Sequence, residues 1–261
     1  MESALRQGQT KIPDTLKRGH LKEGVPAIMA CVATPQQFKD NPSAEEIVFQ
    51  EIRSKVPGMH NVKHDGSPEE LRAQNFKNPG INSYVISPID GLNKFSKSFV
   101  NCTGLVVAGY DKKTSENISF LSHQYPRYFL GNENKQNRFV ADLEERLTEL
   151  KERCQKGTID AKIIGGNYLK AQDFEPHDLQ DFEIEVYQKS YLASIKLLSD
   201  EIEKVLGFEP VMITGPKLIP GEEDIFYENK NRRLYISRPE VGDNSTKSFV
   251  LSTINEQKEK W

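Results

Sequence analysis

Long apolar runs are missing from this sequence. No stretch reaches the ~18 consecutive apolar residues that a bilayer-spanning helix needs, so no membrane span is expected. The opening residues, MESALRQGQTKIPD, hold no apolar core, so no cleaved secretory signal is expected. That points to a cytoplasmic protein, or to one exported to a host cell by a signal-peptide-independent secretion system. Cysteine is scarce. Cys31, Cys102 and Cys154 are odd in number and widely spaced, with no C-x-x-C, which excludes a disulfide framework and a four-thiolate zinc site. A reducing compartment is the default. An excess of one charge is missing too: 35 basic residues face 38 acidic ones, for a net charge of −3. Nothing there attracts nucleic acid or an anionic membrane. There is no internal repeat and no low-complexity tract. His60 and His64 are four apart, but Pro57, Gly58 and Gly66 crowd them and no third ligand is in view, so no metal site is expected. No cofactor is expected, because no P-loop or dinucleotide fingerprint surrounds the glycines.

What is present is enough for a core. The 261 residues are 36% hydrophobic, or about 42% with the 17 glycines, slightly lean for a globular chain. Residues 1–80 read as an N-terminal extension, partly helical. Within it PAIMACVAT (26–34) is a strand or buried turn, PSAEEIVFQEIRSKV (42–56) a helix capped by Ser43, and 58–80 mostly loop. From 81 to 240 the pattern is that of a folded domain. SYVIS (83–87), CTGLVVAGY (102–110) and ISFLSHQYP (118–126) are strands, the last two joined by the turn DKKTSEN. An amphipathic helix is expected over 138–157, its stripe Val140, Leu143, Leu147, Leu150 and Cys154, stopped by Gly157. Then come a strand DAKIIGG (160–166), a helix over 187–207, a strand PVMIT (210–214) and a hairpin over 224–238. Residues 241–261 form a polar tail, apart from SFVLSTI. Hairpins interrupted by two helices indicate an α+β fold with a β-sandwich-like sheet core and flanking helices, not a doubly wound parallel sheet.

Chemistry concentrates on Cys102 and His123. One opens a buried strand and the other lies near the end of its antiparallel partner, an arrangement that brings a thiol toward an imidazole. From Cys102 to a turn centre near Ser115 is thirteen residues and from there to His123 eight, a mismatch that a broad turn absorbs. Cysteine chemistry needs such a pair, because the thiolate attacks and the imidazole takes the proton and returns it to the leaving group. A cysteine in an apolar strand is also ordinary packing. Elsewhere, Gly165-Gly166 suits a tight turn or a close backbone approach. Glu222, Glu223 and Asp224 read as a solvated loop, Lys230, Arg232 and Arg233 as the charged tip of a hairpin, and Cys31 and Cys154 as core or half-buried cysteines.

The stretch SKSFVNCTGLVVAGYDKKTSENISFLSHQYP (96–126) resembles the active-site segment of the chemoreceptor glutamine deamidase CheD. That superfamily includes cytotoxic necrotizing factors and, more distantly, N-terminal asparagine amidohydrolase. The likeness lies in a hydroxyl residue, Ser96, six positions before Cys102; an apolar strand ending in Tyr110-Asp111; His123 followed by Pro126; and, further on, KIIGGNYL, the long helix and the final hairpin. It covers about 150 residues and departs from the family at Val100-Asn101, where Gly-Ser is usual, and after Gly215, where Pro216 precedes an acidic run. The resemblance implies hydrolysis of a protein glutamine or asparagine carboxamide through a Cys102 thioester, the activity of a bacterial toxin effector among other roles in that superfamily. His123 would be the acid–base, Ser96 its orienting partner with Ser98 as competitor, and Asn101 with the Cys102 N–H the oxyanion donors; Gly165 and Gly166 would shape the site. A transglutaminase or cysteine protease on the same dyad, and a non-catalytic protein-binding module, stay open as alternatives. The partner in each case is another protein.

Overall fold

The structure is a computed structural model that describes residues 10–11, 20–33, 59–63, 67–79, 83–99, 101–129, 132–166, 181–214 and 223–238. It is a mixed α+β fold with two sheets. In chain order the strands are β1 (Thr10–Lys11), β2 (Met29–Ala33), β3 (Met59–Asn61), β4 (Tyr84–Ile86), β5 (Asn93–Phe99), β6 (Thr103–Tyr110), β7 (Asn117–Gln124), β8 (Asp160–Gly165), β9 (Val211–Ile213), β10 (Glu223–Glu228) and β11 (Arg233–Ser237). The described helices are α1 (Pro68–Ala73), α2 (Glu133–Arg153) and α3 (Asp181–Leu206), with a 3-10 turn at Pro126–Phe129. One sheet runs β1-β2-β11-β10-β5-β3 and the other β4-β7-β6-β8-β9.

The layers follow from which faces are apolar. Val85, Val106, Ala108, Leu121, Ile164 and Ile213 of the second sheet share one buried cluster with Ala30, Val32, Ile225, Tyr227, Leu234 and Ile236 of the first, so the two sheets pack face to face. The opposite face of the second sheet, carrying Leu105, Val107, Phe120, Ala161 and Ile163, packs under α2 and α3. This middle position explains the unbroken apolar run of β6, which is buried on both faces. The helices cover it with single stripes: Phe139, Leu143, Leu147 and Leu150 from α2, Tyr191, Ile195, Leu198 and Ile202 from α3.

Helix α2 differs from its expected bounds at both ends. Asn132 caps it, its side chain accepting the Lys135 N–H, so the helix starts earlier than the apolar stripe implies. It stops at Cys154, which turns extended and bridges to Asp111, and Gly157 belongs to the following turn. The long helix α3 likewise begins before its stripe. Of the residues assigned to an N-terminal extension, strands β1, β2 and β3 belong to the first sheet, and Lys77 bridges to Ile86 of β4 in the second. Strand β2 pairs parallel with β11 and β3 parallel with β5. Residues 58–80, expected as mostly loop, contain β3 and α1, the latter opened by Pro68 with Glu69 and Glu70 in its first turn. The expected helix over 42–56 and the tail 241–261 lie outside the described residues, as does His64.

Strand β5 is absent from the sequence reading. Its pairing with β10 shifts register: Ile225 faces Ser96 and Glu223 faces Phe99, so Lys97 and Ser98 together oppose the single residue Asp224. This is a β-bulge, with Ser98 at φ +65°. Two expectations for the exposed loops fail here. Glu223 is fully buried and ion-paired with Arg238 at 2.6 Å, because it lies inside β10. Arg232 is also fully buried, its guanidinium turned back against the second sheet.

Candidate functional site

Cys102 and His123 lie at the same end of the sandwich, where β6 begins and β7 and β5 end. The β6–β7 register pairs Thr103 with Gln124 and Gly104 with His123, and runs without a slip to Tyr110 and Asn117. The turn therefore centres between Lys113 and Thr114, nearer to Cys102 than the position inferred from sequence. The mismatch shrinks to a single diagonal step. Cys102 immediately precedes β6, two residues from Gly104, and shares the buried cluster of Val106 and Ala108; a diagonal neighbour in a regular ladder has its Cα about 7–8 Å away, within reach of an aromatic side chain. Cys102 belongs to the buried cluster between the sheets, and His123 is 1% exposed.

The first sheet supplies what holds the imidazole. Ser96 of β5 places its Oγ 2.9 Å from His123 Nδ1, a hydrogen bond that crosses from sheet to sheet. The same hydroxyl donates to the Val62 carbonyl. A hydroxyl has one proton to give. With it committed to Val62, Oγ accepts from Nδ1–H, so the neutral ring carries its lone pair on Nε2. That is the nitrogen a general base must keep open. Val62 is fixed in turn by donating its N–H to Phe95 O at 2.7 Å. The ring's face is covered by Phe99, whose centroid lies 3.9 Å away at an interplanar angle of 16°.

Two glycines make room for that ring. A Cβ on Gly104 would sit 2.9 Å from Phe99 Cε1, and one on Gly165 would sit 2.6 Å from Cδ1 and 2.5 Å from the Cys102 carbonyl oxygen. Gly165 also has φ +72°, a conformation that favours glycine. Gly166 donates its N–H to the Cys102 carbonyl at 2.7 Å and lies against Tyr191. The glycine pair is thus a close backbone approach beside the cysteine as well as a turn. Asn101 is half-buried and lines a small open hollow with Tyr125, Arg127, Tyr187 and Tyr191, next to Cys102 in the chain. The structure thereby brings together Ser96, Asn101, Cys102, His123, Gly165 and Gly166. Ser98, the competitor of Ser96, lies in the bulge, half-buried where Ser96 is fully buried.

Three contributors escape the sequence reading: Val62, Phe99 and Gly104. The one available signal is Gly104, since a glycine inside an apolar strand marks close approach of another group. Val62 acts through its backbone, which leaves no trace in residue type.

The other candidates separate from this site. Cys154, at the end of α2, is buried against β6 of the second sheet, where burial pushes its thiol up to about 12. No described cysteine is in a disulfide. His60 pairs with Asp90 at 2.5 Å, and among the described residues no three His, Cys, Asp or Glu side chains gather as a metal site. No described helix is long and apolar enough to cross a membrane. No family model matches this chain, and no curated protein matches it.

Proposed function

We propose that the protein is a thiol-dependent amidohydrolase of the CheD and necrotizing-factor type, which deamidates a glutamine or asparagine side chain on another protein. The observation that supports this reading is the hydrogen bond from His123 Nδ1–H to Ser96, which leaves Nε2 as the basic nitrogen of the ring, with Cys102 immediately before the strand that pairs with the His123 strand. Nε2 takes the Cys102 proton, and the thiolate adds to the carboxamide carbon. The oxyanion is met by the Cys102 N–H, with Asn101 at the lip of the hollow as second donor. His123 returns the proton to nitrogen, ammonia leaves, and a thioester remains. Water, deprotonated by His123, adds to the thioester. The thiolate departs, recovers a proton, and the product is a carboxylate.

The test is the alkylation rate of each cysteine against pH, followed by peptide mass spectrometry, in the wild type and in His123→Ala. Cys102 is expected to react fast at pH 6 and to lose that advantage in the variant. A Cys102 that is slow and indifferent to His123 refutes the dyad and favours a protein-binding module. If the dyad stands, ammonia release without cross-linking separates deamidation from transglutamination.

A further inference from the structure

The bulge in β5 has a geometric effect on the site. In a regular strand, side chains alternate between faces, so residues three apart point to opposite sides. Ser96 and Phe99 are three apart, yet both touch His123: one binds the edge of the imidazole and the other covers its face. Conversely Phe95 and Phe99, four apart, should share a face and do not. Phe95 pairs with Phe226, whose neighbours Ile225 and Tyr227 face the core between the sheets, so Phe95 faces away from it. Phe99 belongs to that core cluster. The extra residue at Lys97–Ser98 causes the reversal. Removing one residue there would keep Ser96 on the imidazole and turn Phe99 outward.

The second sheet is matched to this arrangement. Gly104 lies directly opposite His123 in the ladder, and Gly165 lies opposite Thr103 on the other side of β6. Each would collide with Phe99 if it carried a Cβ. A left-handed serine in one sheet and two bare backbone positions in the other thus converge on one aromatic ring, and that ring rests on one imidazole.

We infer that the β5 bulge is a positioning device, and that Phe99 is a positioning residue holding His123 in the plane from which Nε2 reaches Cys102. This rests on the dyad reading above. The flat ring bars the imidazole from tilting about its bond to Ser96, and its π face favours the imidazolium formed when the thiol gives up its proton. Misplacing a reacting group by about 1 Å is enough to lower a rate about 100-fold.

The experiment is the same alkylation profile in Phe99→Leu, Ser98→Val and Ser98→Gly, run beside wild type and His123→Ala. Cys154 serves as the internal report on folding, because it stays protected only while the core is intact. Phe99→Leu keeps apolar bulk without a flat ring. Valine resists the left-handed backbone at position 98 and glycine accepts it. Phe99→Leu and Ser98→Val are expected to slow Cys102 at pH 6 about tenfold or more, to move its pH midpoint upward, and to leave Cys154 protected. Ser98→Gly is expected to restore most of what valine loses. If wild type matches His123→Ala, the dyad reading itself fails. If those two differ but Cys102 keeps its wild-type profile in Phe99→Leu, with Cys154 protected, the dyad stands and the positioning role is overturned. Should Phe99→Leu expose Cys154, the valine–glycine pair decides: equal Cys102 profiles in the two overturn the inference.

Discussion

Ser96 has one proton and two tasks, and their order fixes the chemistry of its neighbour. Because Oγ–H is committed to the Val62 carbonyl, the bond to His123 has one possible direction. Ser96→Ala removes the acceptor and leaves a buried Nδ1–H without it, so the imidazole is free to place its proton on either nitrogen. The expected result is a mixed tautomer population by nitrogen-15 NMR and Cys102 alkylation about tenfold slower at neutral pH, a smaller loss than removing a triad base, as third members act by orientation. A single Nδ1–H tautomer retained in Ser96→Ala would refute it. The two buried cysteines also behave differently at this scale. Cys154 is lined by apolar side chains, and burial holds its thiol near 12, so it is expected to stay inert at neutral pH in the folded protein. Cys102 opens an apolar run and Cys154 ends the apolar stripe of a charged helix, and only Cys102 has a histidine near it in the strand pairing.

Among the elements, those with a strong period were legible and those whose period is broken were not. The stripes of α2 and α3 and the continuous apolar run of β6 announce themselves, because each buries a regular face. Strand β5 reads NKFSKSF, and its bulge puts Phe95 and Phe99 on opposite faces, which destroys the alternation that would reveal a strand. The candidate site was legible for the same reason in part: His123 lies on a regular strand and Cys102 immediately precedes one, whereas Phe99 depends on the bulge and Val62 on a backbone carbonyl. Arg232 shows the opposite failure. A charged residue at a hairpin tip reads as solvated, yet its Nε donates to Asn117 Oδ1 at 2.7 Å, its Nη1 donates to the Pro26 and Thr158 carbonyls, and its guanidinium lies 4.4 Å over Tyr110. It clamps the β10–β11 hairpin to β7 and to the segments before β2 and β8. Hydrogen bonds to a charged group contribute ~1.5–3 kcal/mol each, and removing the arginine also removes the cost of burying its charge, so Arg232→Ala is expected to lose about 3 kcal/mol net and lower Tm by about 6–12 °C. A shift below ~2 °C by calorimetry would show that the clamp contributes little.

On the scale of the whole molecule, acid stability carries the mark of one partly buried group of charges. Burial pushes the Asp90 carboxyl up, but hydrogen bonds from His60 and Lys94 reverse this and hold it at about 2, below its ordinary 3.8. The folded state thus keeps Asp90 ionised where the unfolded chain binds a proton. Its contribution is present above about pH 4 and is lost as pH falls toward 2. Lys94 is opposite in sign. Burial lowers it to about 8, with Asp90 offsetting part of that, so its own contribution to stability rises with pH between about 8 and 10.5. Asp90→Asn is expected to be less stable at pH 7, with Lys94 left buried without its carboxylate, and to lose less between pH 4 and 2 than the wild type does. Parallel urea-midpoint curves for the two proteins across that range would count against this assignment.

The parallel ladder between β2 and β11 has a consequence in time. Met29 pairs with Arg233 and Ala33 with Ser237, so β2 finds its partner only after about 200 further residues have been made. At about 5–20 residues per second the ribosome imposes a wait of roughly 10–40 s. For that interval the β2 edge that will meet β11 offers its unpaired backbone groups to any passing strand. Pairings between elements so distant in sequence also form slowly once both strands are present. The first sheet is therefore the late-maturing half of the protein, and the half most exposed to capture by chaperones or by its own copies while it waits.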